Sequence, residues 1–344
     1  MEEDRLPPTT RGDFPGSREI IRQAYIRKGV PVTAIEIIEA SISKGTLKQY
    51  TSCYKKFWQF CADSNRDPLV YKLETYLDFL SDALKEGLSF SVVNSYRSAL
   101  NLIFSPISNN DEKVINRFVK GVSNIRPPGP KYKITWDPDP LLKYLGTLYP
   151  LEALDLEYAT YKLVTLMALT SASRVQTLSL IKVQNINISV DRVEIKIPDR
   201  VKTSAPGRFQ PLLIFPFFKS KQELCVASTI ADYIKRTKPI RNTEEKLILT
   251  HKKPHRSASS QTISRWIKNT LNLGGVDTSI FSAHSVRHAT TSAAYKAGVN
   301  IEIIKNTAGW TPASNTFFSF YNRPVEKPQD KFAKAIIELG SNKS

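Results

Sequence analysis

The chain has 344 residues, 41% of them hydrophobic, which is enough for two compact domains with cores of their own. Lys and Arg number 49 against 32 Asp and Glu, and a net charge of +17 calls for a polyanionic partner. No run approaches the roughly 18 apolar residues of a membrane span, the opening MEEDRLPPTTRGDFPGSREI lacks a secretion-signal layout, and Cys53, Cys61 and Cys225 form no CxxC pair. Membrane insertion, secretion and a thiolate zinc site are therefore not expected.

Residues 1–30 are polar and interrupted by Pro7, Pro8, Gly12, Pro15 and Gly16, so they read as a flexible N-terminal tail. Leu47, Tyr50, Tyr54, Phe57 and Cys61 then recur at steps of three and four, predicting a helix that begins near Lys44 to Thr46. Leu73, Tyr76, Leu77, Leu80 and Leu84 make a second stripe, Val93, Tyr96, Leu100 and Ile103 a third, and Val114, Ile115, Phe118 and Val122 a fourth. Four short amphipathic helices make a small bundle over residues 31–125.

Residues 126–140, RPPGPKYKITWDPDP, hold five prolines in fifteen positions, which no helix interior or central strand tolerates, so this stretch reads as a linker. A second domain is expected over 141–325. It contains a buried helix around Leu163 to Leu169 and then a change of period between Ile186 and Phe218, where Val193, Ile195 and Ile197 alternate with charges. With the Pro206-Gly207 turn and the PLLIFPFF run, that pattern predicts a small antiparallel sheet. Helical patterns return at Gln222 to Thr237, Ser260 to Leu271, His284 to Ala297, Ile301 to Thr307 and Ala313 to Tyr321, and the 326–344 segment reads as a short helix, Asp330 to Leu339, with a tail. The fold class is thus mainly α with a small antiparallel β-sheet.

Most of the positive charge lies in the second half. Residues 201–270 alone carry 14 Lys and Arg against 4 Asp and Glu. A solvated loop accounts for any single basic run, such as THKKPHR with Lys252, Lys253 and Arg256. Spread over a structured stretch that also includes Arg265, the bias fits a groove that follows phosphates.

Five signals carry the chemistry. FSAHSVRHATTSAAYKAGV sets His284 and Arg287 three apart on a helix; TSASRVQTLSLI puts Arg174 where one helix turns into the next; a lysine lies in the sheet; Gly309-Trp310 follows; and Tyr321 sits in TFFSFYNRP. Each has an ordinary structural explanation when taken singly, from a solvated His-Arg pair to a core tryptophan or one packed tyrosine among 14. Together, the order Arg174, lysine, His284-x-x-Arg287, Trp310, Tyr321 resembles the tyrosine recombinase (phage integrase) family. TISRWIK, HSVRHATTSAA, AGW and FYNRP look most like the recombinases of DIRS-type eukaryotic retroelements.

The resemblance implies a two-domain DNA clamp, with a helical core-binding domain over 31–125 and a catalytic domain over 141–325. It implies site-specific cutting and rejoining of double-stranded DNA through a 3′-phosphotyrosyl ester, by a dimer at each site and a tetramer in synapsis, in the nucleus, with no cofactor or metal. The residue chemistry agrees. A phenolate at Tyr321 can conserve the energy of a phosphodiester in a covalent ester. The forked guanidiniums of Arg174 and Arg287 can take up charge on the nonbridging oxygens, and the Trp310 indole N–H can donate to one. Lys202, ahead of the Pro206-Gly207 turn, suits the general acid for the leaving 5′ oxygen, with Lys196 as its rival. His284 either accepts the tyrosine proton or holds a phosphate oxygen, and His288 supports the site from behind. The Trp310 to Tyr321 gap exceeds that of bacterial relatives by about two residues, which leaves open whether Tyr321 serves its own site or a neighbour's. Two other readings stand beside this one: a type IB topoisomerase, and a domesticated DNA-binding protein that has lost catalysis.

Overall fold

A computed structural model describes residues 13–205, 207–208 and 210–325. The 326–344 helix read from the sequence lies outside the described residues. The chain divides into two compact units, one ending at Gly129 and the other beginning at Pro130.

The first unit contains six helices among its described residues: α1 (Ser17–Arg27), α2 (Val32–Ser41), α3 (Lys44–Asp63), α4 (Leu73–Lys85), α5 (Phe90–Phe104) and α6 (Asn109–Ile125). The four stripes of the sequence are α3 to α6, and Ser43 caps α3 by accepting a hydrogen bond from the Thr46 amide. Their core is aromatic: the Phe57 ring meets Phe79 and Phe104 edge-on at 5.0 and 5.9 Å, and Phe79 stacks on Tyr96. The tail reading of residues 1–30 fails at α1. Gly16 and Pro15 stand before this helix rather than inside it, and Ile20, Ile21 and Ala24 bury a short apolar face against α3 and α5.

The second unit is built around α8 (Leu156–Ser171), whose Leu163, Val164, Leu166 and Met167 are fully enclosed. Because this helix is apolar on nearly every side, its neighbours must cover it all round. α10 (Val226–Thr237), α11 (Ser260–Leu273) and α12 (Ser285–Lys296) pack against it. The sheet has the order β1 (Ile186–Ile188), β2 (Arg192–Lys196), β3 (Leu212–Pro216), antiparallel throughout. Its register pairs Val193 with Phe215 and Ile195 with Leu213, so the alternate residues seen in the sequence all face the core.

Two local readings change. In the proline-rich stretch, Tyr132 and Trp136 are buried in the second unit's core, and α7 (Pro138–Thr147) starts inside it. Pro138 and Pro140 fall in the first turn of α7, where no amide donor is required, and Asp137 caps it. After α9 (Val175–Leu178) and, later, α13 (Ile301–Thr307), the helix expected from Ala313 to Tyr321 shrinks to a π-helical turn over Phe317–Tyr321. Among the described residues no helix is long and apolar enough to cross a membrane.

Candidate active site

The α8 to α9 turn needs a left-handed residue, and Ala172, small enough to tolerate φ 46°, supplies it. Two residues later Arg174 occupies the N-cap of α9 and is half-buried. Among the described residues its guanidinium has no hydrogen-bond or ion-pair partner. Arg287, in the first turn of α12, is only 3% exposed. Its guanidinium donates to the carbonyl oxygens of Ala172 at 2.6 Å and Ala308 at 2.5 Å, lies 4.4 Å over the Trp310 ring, and stands 5.4 Å from the ring of Tyr321. It therefore ties together the turn that carries Arg174 and the turn that carries Trp310. Burial, with the nearby Arg174 charge, pushes its pKa down to about 10, so it stays charged at neutral pH.

Gly309 takes φ 67° before Trp310, a conformation that glycine adopts without strain. Trp310 is 8% exposed, its ring 4.8 Å from that of Tyr321. Its Nε1, the Arg287 Nε and the His288 Nδ1 are all buried without a protein partner. Such atoms are uncommon in a protein core, and three of those among the described residues cluster around this one tyrosine.

Tyr321 ends the π turn, 8% exposed. His284, at the N-cap of α12, brings Nε2 to 3.2 Å from the phenol oxygen. His284 remains partly open to solvent, yet packing around the ring, then the charges of Arg287, Arg174, Lys131 and Lys202, push its pKa down to about 4. It is neutral at pH 7, so its Nε2 can accept the hydrogen bond of the Tyr321 phenol. His288, one turn on, stacks on the Tyr321 ring at 4.2 Å, and its own ring is met edge-on by Tyr132 at 5.1 Å. Packing, then His284, Arg323, Arg287 and Lys131, depresses its pKa to about 3.

A cleft of about 620 Å³ opens beside this cluster, lined by Arg174, Arg287, Trp310, Thr203 and Arg208 among others. Lys202 is exposed in the loop between β2 and β3, and its charge reaches His284. Lys196 closes β2, paired with Leu212, and is not among the charges acting on His284. The structure thus groups Arg174, Arg287 and Trp310 on the cleft, His284, His288 and Tyr321 against it, and Lys202 beside it. Lys252, Lys253, Arg256 and Arg265 are exposed and do not line it. His251 packs between Tyr161 and Trp266 with Nδ1 3.6 Å from Glu157, and His255 Nδ1 lies 2.9 Å from the Thr250 carbonyl oxygen.

Sequence reasoning missed Lys131, Tyr132 and Ser292. The first two were hidden inside a proline-rich stretch. Ser292 had a signal, since it lies four residues after His288 on the same helical face.

The Phage integrase family model matches residues 148–327, more than half of the chain. The chain belongs to that family, the tyrosine recombinases, which break and rejoin DNA strands by transesterification. Its fold is similar to that of XerH site-specific recombinase in a post-cleavage complex with palindromic difH substrate (TM-score 0.59, 16% identity, 94% of this chain and 85% of that one covered). It is similar as well to lambda integrase in a tetramer bound to a Holliday junction (TM-score 0.52, 15% identity, covering 85% and 76%). The third is the Tn1549 transposon integrase in complex with transposon right end DNA (TM-score 0.52, 14% identity, covering 93% and 99%). By sequence, none of the curated proteins compared matches the chain.

Proposed function

We propose that this tyrosine recombinase cuts DNA with its own Tyr321, in the site formed by the same chain. The observation that carries the reading is the 3.2 Å contact between the Tyr321 phenol and a neutral His284 inside one protomer. In the proposed step the phenol proton passes to His284 Nε2, the phenolate oxygen bonds to phosphorus, and the bond from phosphorus to the 5′ oxygen breaks, leaving a 3′-phosphotyrosyl ester. Lys202 donates the proton that the 5′ oxygen requires. Arg174, Arg287 and the Trp310 indole N–H take up the charge that grows on the nonbridging oxygens. The reverse reaction, by another 5′ hydroxyl, joins strands without a cofactor or metal, because one phosphoester replaces another.

The first unit acts as the core-binding half of a DNA clamp, and Lys252, Lys253, Arg256 and Arg265 add phosphate contacts outside the cleft. Protomers work as a dimer on each site and a tetramer in synapsis, as the DNA-bound dimers and tetramers among the similar structures support. A mobile element of the DIRS type is the source that the FYNRP and HSVRHATTSAA motifs favour, which places the reaction in the nucleus.

The experiment uses a nicked suicide duplex selected from a randomised library by covalent capture on the wild-type chain. Tyr321→Phe removes one oxygen and one hydrogen bond. It is expected to bind the selected duplex within about twofold of wild type and to form no covalent adduct on a denaturing gel. An adduct that persists in this variant overturns the assignment. Mixing Tyr321→Phe with a separately disabled Arg174→Ala chain tests the same-chain site: the mixture stays inactive if Tyr321 acts at home, and recovers cleavage if it serves a neighbour.

A further inference from the structure

One stripe of α12 faces the tyrosine segment: His284, His288, Ser292 and Tyr295, spaced by four, four and three residues. Each meets a different part of that segment. His284 reaches the phenol oxygen, His288 stacks on the ring, Ser292 bonds the backbone, and Tyr295 packs edge-on against Phe317 and Phe318. We infer that Ser292 is a positioning residue for cleavage: its hydroxyl fixes where along α12 the tyrosine segment stops, and so holds the Tyr321 phenol opposite His284. The inference rests on the reading of Tyr321 as nucleophile.

The geometry of the turn explains why a hydroxyl is needed there. Tyr321 closes a π-helical turn in which the Asn322 amide bonds back to the Phe317 carbonyl oxygen at 2.8 Å, five residues earlier. Asn322 then turns to extended backbone, so the Tyr321 carbonyl and the Arg323 amide have no helical continuation to pair with. Ser292, 7% exposed, supplies both partners. Its Oγ donates to the Tyr321 carbonyl oxygen at 2.8 Å and accepts from the Arg323 amide at 3.1 Å. Without the hydroxyl, the buried Tyr321 carbonyl and the partly buried Arg323 amide are unpaired, and the end of the turn is released. A one-residue change of helical register swings a side chain by about 100°, enough to take the phenol away from His284.

The rest of the segment is held independently. The Arg323 Nε donates to the Tyr132 carbonyl oxygen at 3.1 Å and the Thr135 amide to the Pro324 carbonyl oxygen at 2.9 Å. Loss of the Ser292 hydroxyl therefore leaves the segment attached while its register is released, which is the behaviour of a positioning contact.

The test compares full-length wild type, Ser292→Ala and Ser292→Thr on the selected suicide duplex, measuring binding, single-turnover cleavage at saturating protein, its pH dependence between 6 and 9, and the melting temperature. Ser292→Ala is expected to bind within about twofold of wild type and to cleave at least about 100-fold more slowly, since even a misplacement of about 1 Å costs on that scale. Its rate should also rise with pH, because a phenol displaced from His284 has lost that proton acceptor, whereas the wild-type rate is expected to be flat over this range. Ser292→Thr, which restores the hydroxyl, should recover to within about fivefold and regain the flat profile. An alanine variant that cleaves within threefold of wild type overturns the inference, as does a slow alanine variant with an unchanged pH profile or a well-folded threonine variant that fails to recover. Absence of any wild-type adduct, or an adduct on Tyr321→Phe, overturns the nucleophile reading itself, and is told apart from these outcomes by the wild-type and Tyr321→Phe lanes.

Discussion

The two arginines of the site separate sharply in what their removal does to stability. Arg287 is buried, donates to two backbone carbonyls from different turns and lies over Trp310. Arg287→Lys keeps the charge but cannot reach both carbonyls or stack as a plane. It loses at least one charge-assisted hydrogen bond, worth about 1.5 to 3 kcal/mol, and leaves a buried acceptor unpaired. A loss of about 2 to 4 kcal/mol corresponds to a fall in melting temperature of about 4 to 16 °C for a unit of this size. Arg174 has no partner among the described residues, is half-buried, and its charge works against that of Arg287. Arg174→Ala should therefore cost less than about 1 kcal/mol, or stabilise slightly, while abolishing cleavage. Thermal and urea unfolding of the two variants beside wild type makes the comparison. Equal destabilisation by the two substitutions would refute the view that Arg287 braces the site while Arg174 is held ready for phosphate.

Three further outcomes are expected. Lys202→Ala should slow cleavage of an ordinary phosphodiester by about 100-fold or more and be largely rescued by a 5′-bridging sulfur, a leaving group that needs no proton; rescue of Lys196→Ala instead would exchange the two residues. DNA affinity of the full chain, measured by fluorescence anisotropy, should fall with salt on a log–log slope of about −5 to −10, and a slope shallower than about −3 would contradict binding through phosphates from both units. His288 is depressed to about 3 when folded, so the unfolded chain takes up its proton first as pH drops below about 6.5; stability is complete above that pH and declines by up to about 1.4 kcal/mol per unit as pH falls toward 3. Urea titrations at pH 7 and 5 should show a loss of about 2 kcal/mol from this group in wild type that His288→Gln lacks, and identical losses would refute the assignment.

Much of the site was legible in the residue order, because Arg174, His284, Arg287, Trp310 and Tyr321 each stand in a local sequence that imposes its own structure. Small residues turn the chain before Arg174, a helix carries His284 and Arg287, and a glycine with positive φ precedes Trp310. Helices α3 to α6 of the first unit and the small antiparallel sheet were legible for the same reason, since a period of 3.6 or 2 is written in neighbouring residues. Helix α1 was not, because its apolar face is only Ile20, Ile21 and Ala24, and the prolines and glycines before it masked so short a stripe.

What the tertiary structure alone decided depends on pairs far apart in the chain. Only the tertiary structure shows that Lys202 stands near His284, a residue more than 80 positions away, while Lys196 ends β2. From Pro130 on, the proline-rich segment proved to be part of the second unit, where Tyr132 meets His288 and Thr135 bonds Pro324. The tyrosine helix proved to be a single π turn, and where it ends a hydroxyl on α12 pairs with the backbone. Local sequence sets what a segment can form on its own. Which of the possible forms it takes at a buried site is settled by whichever distant group completes its hydrogen bonds, and that group has no periodic mark in the sequence.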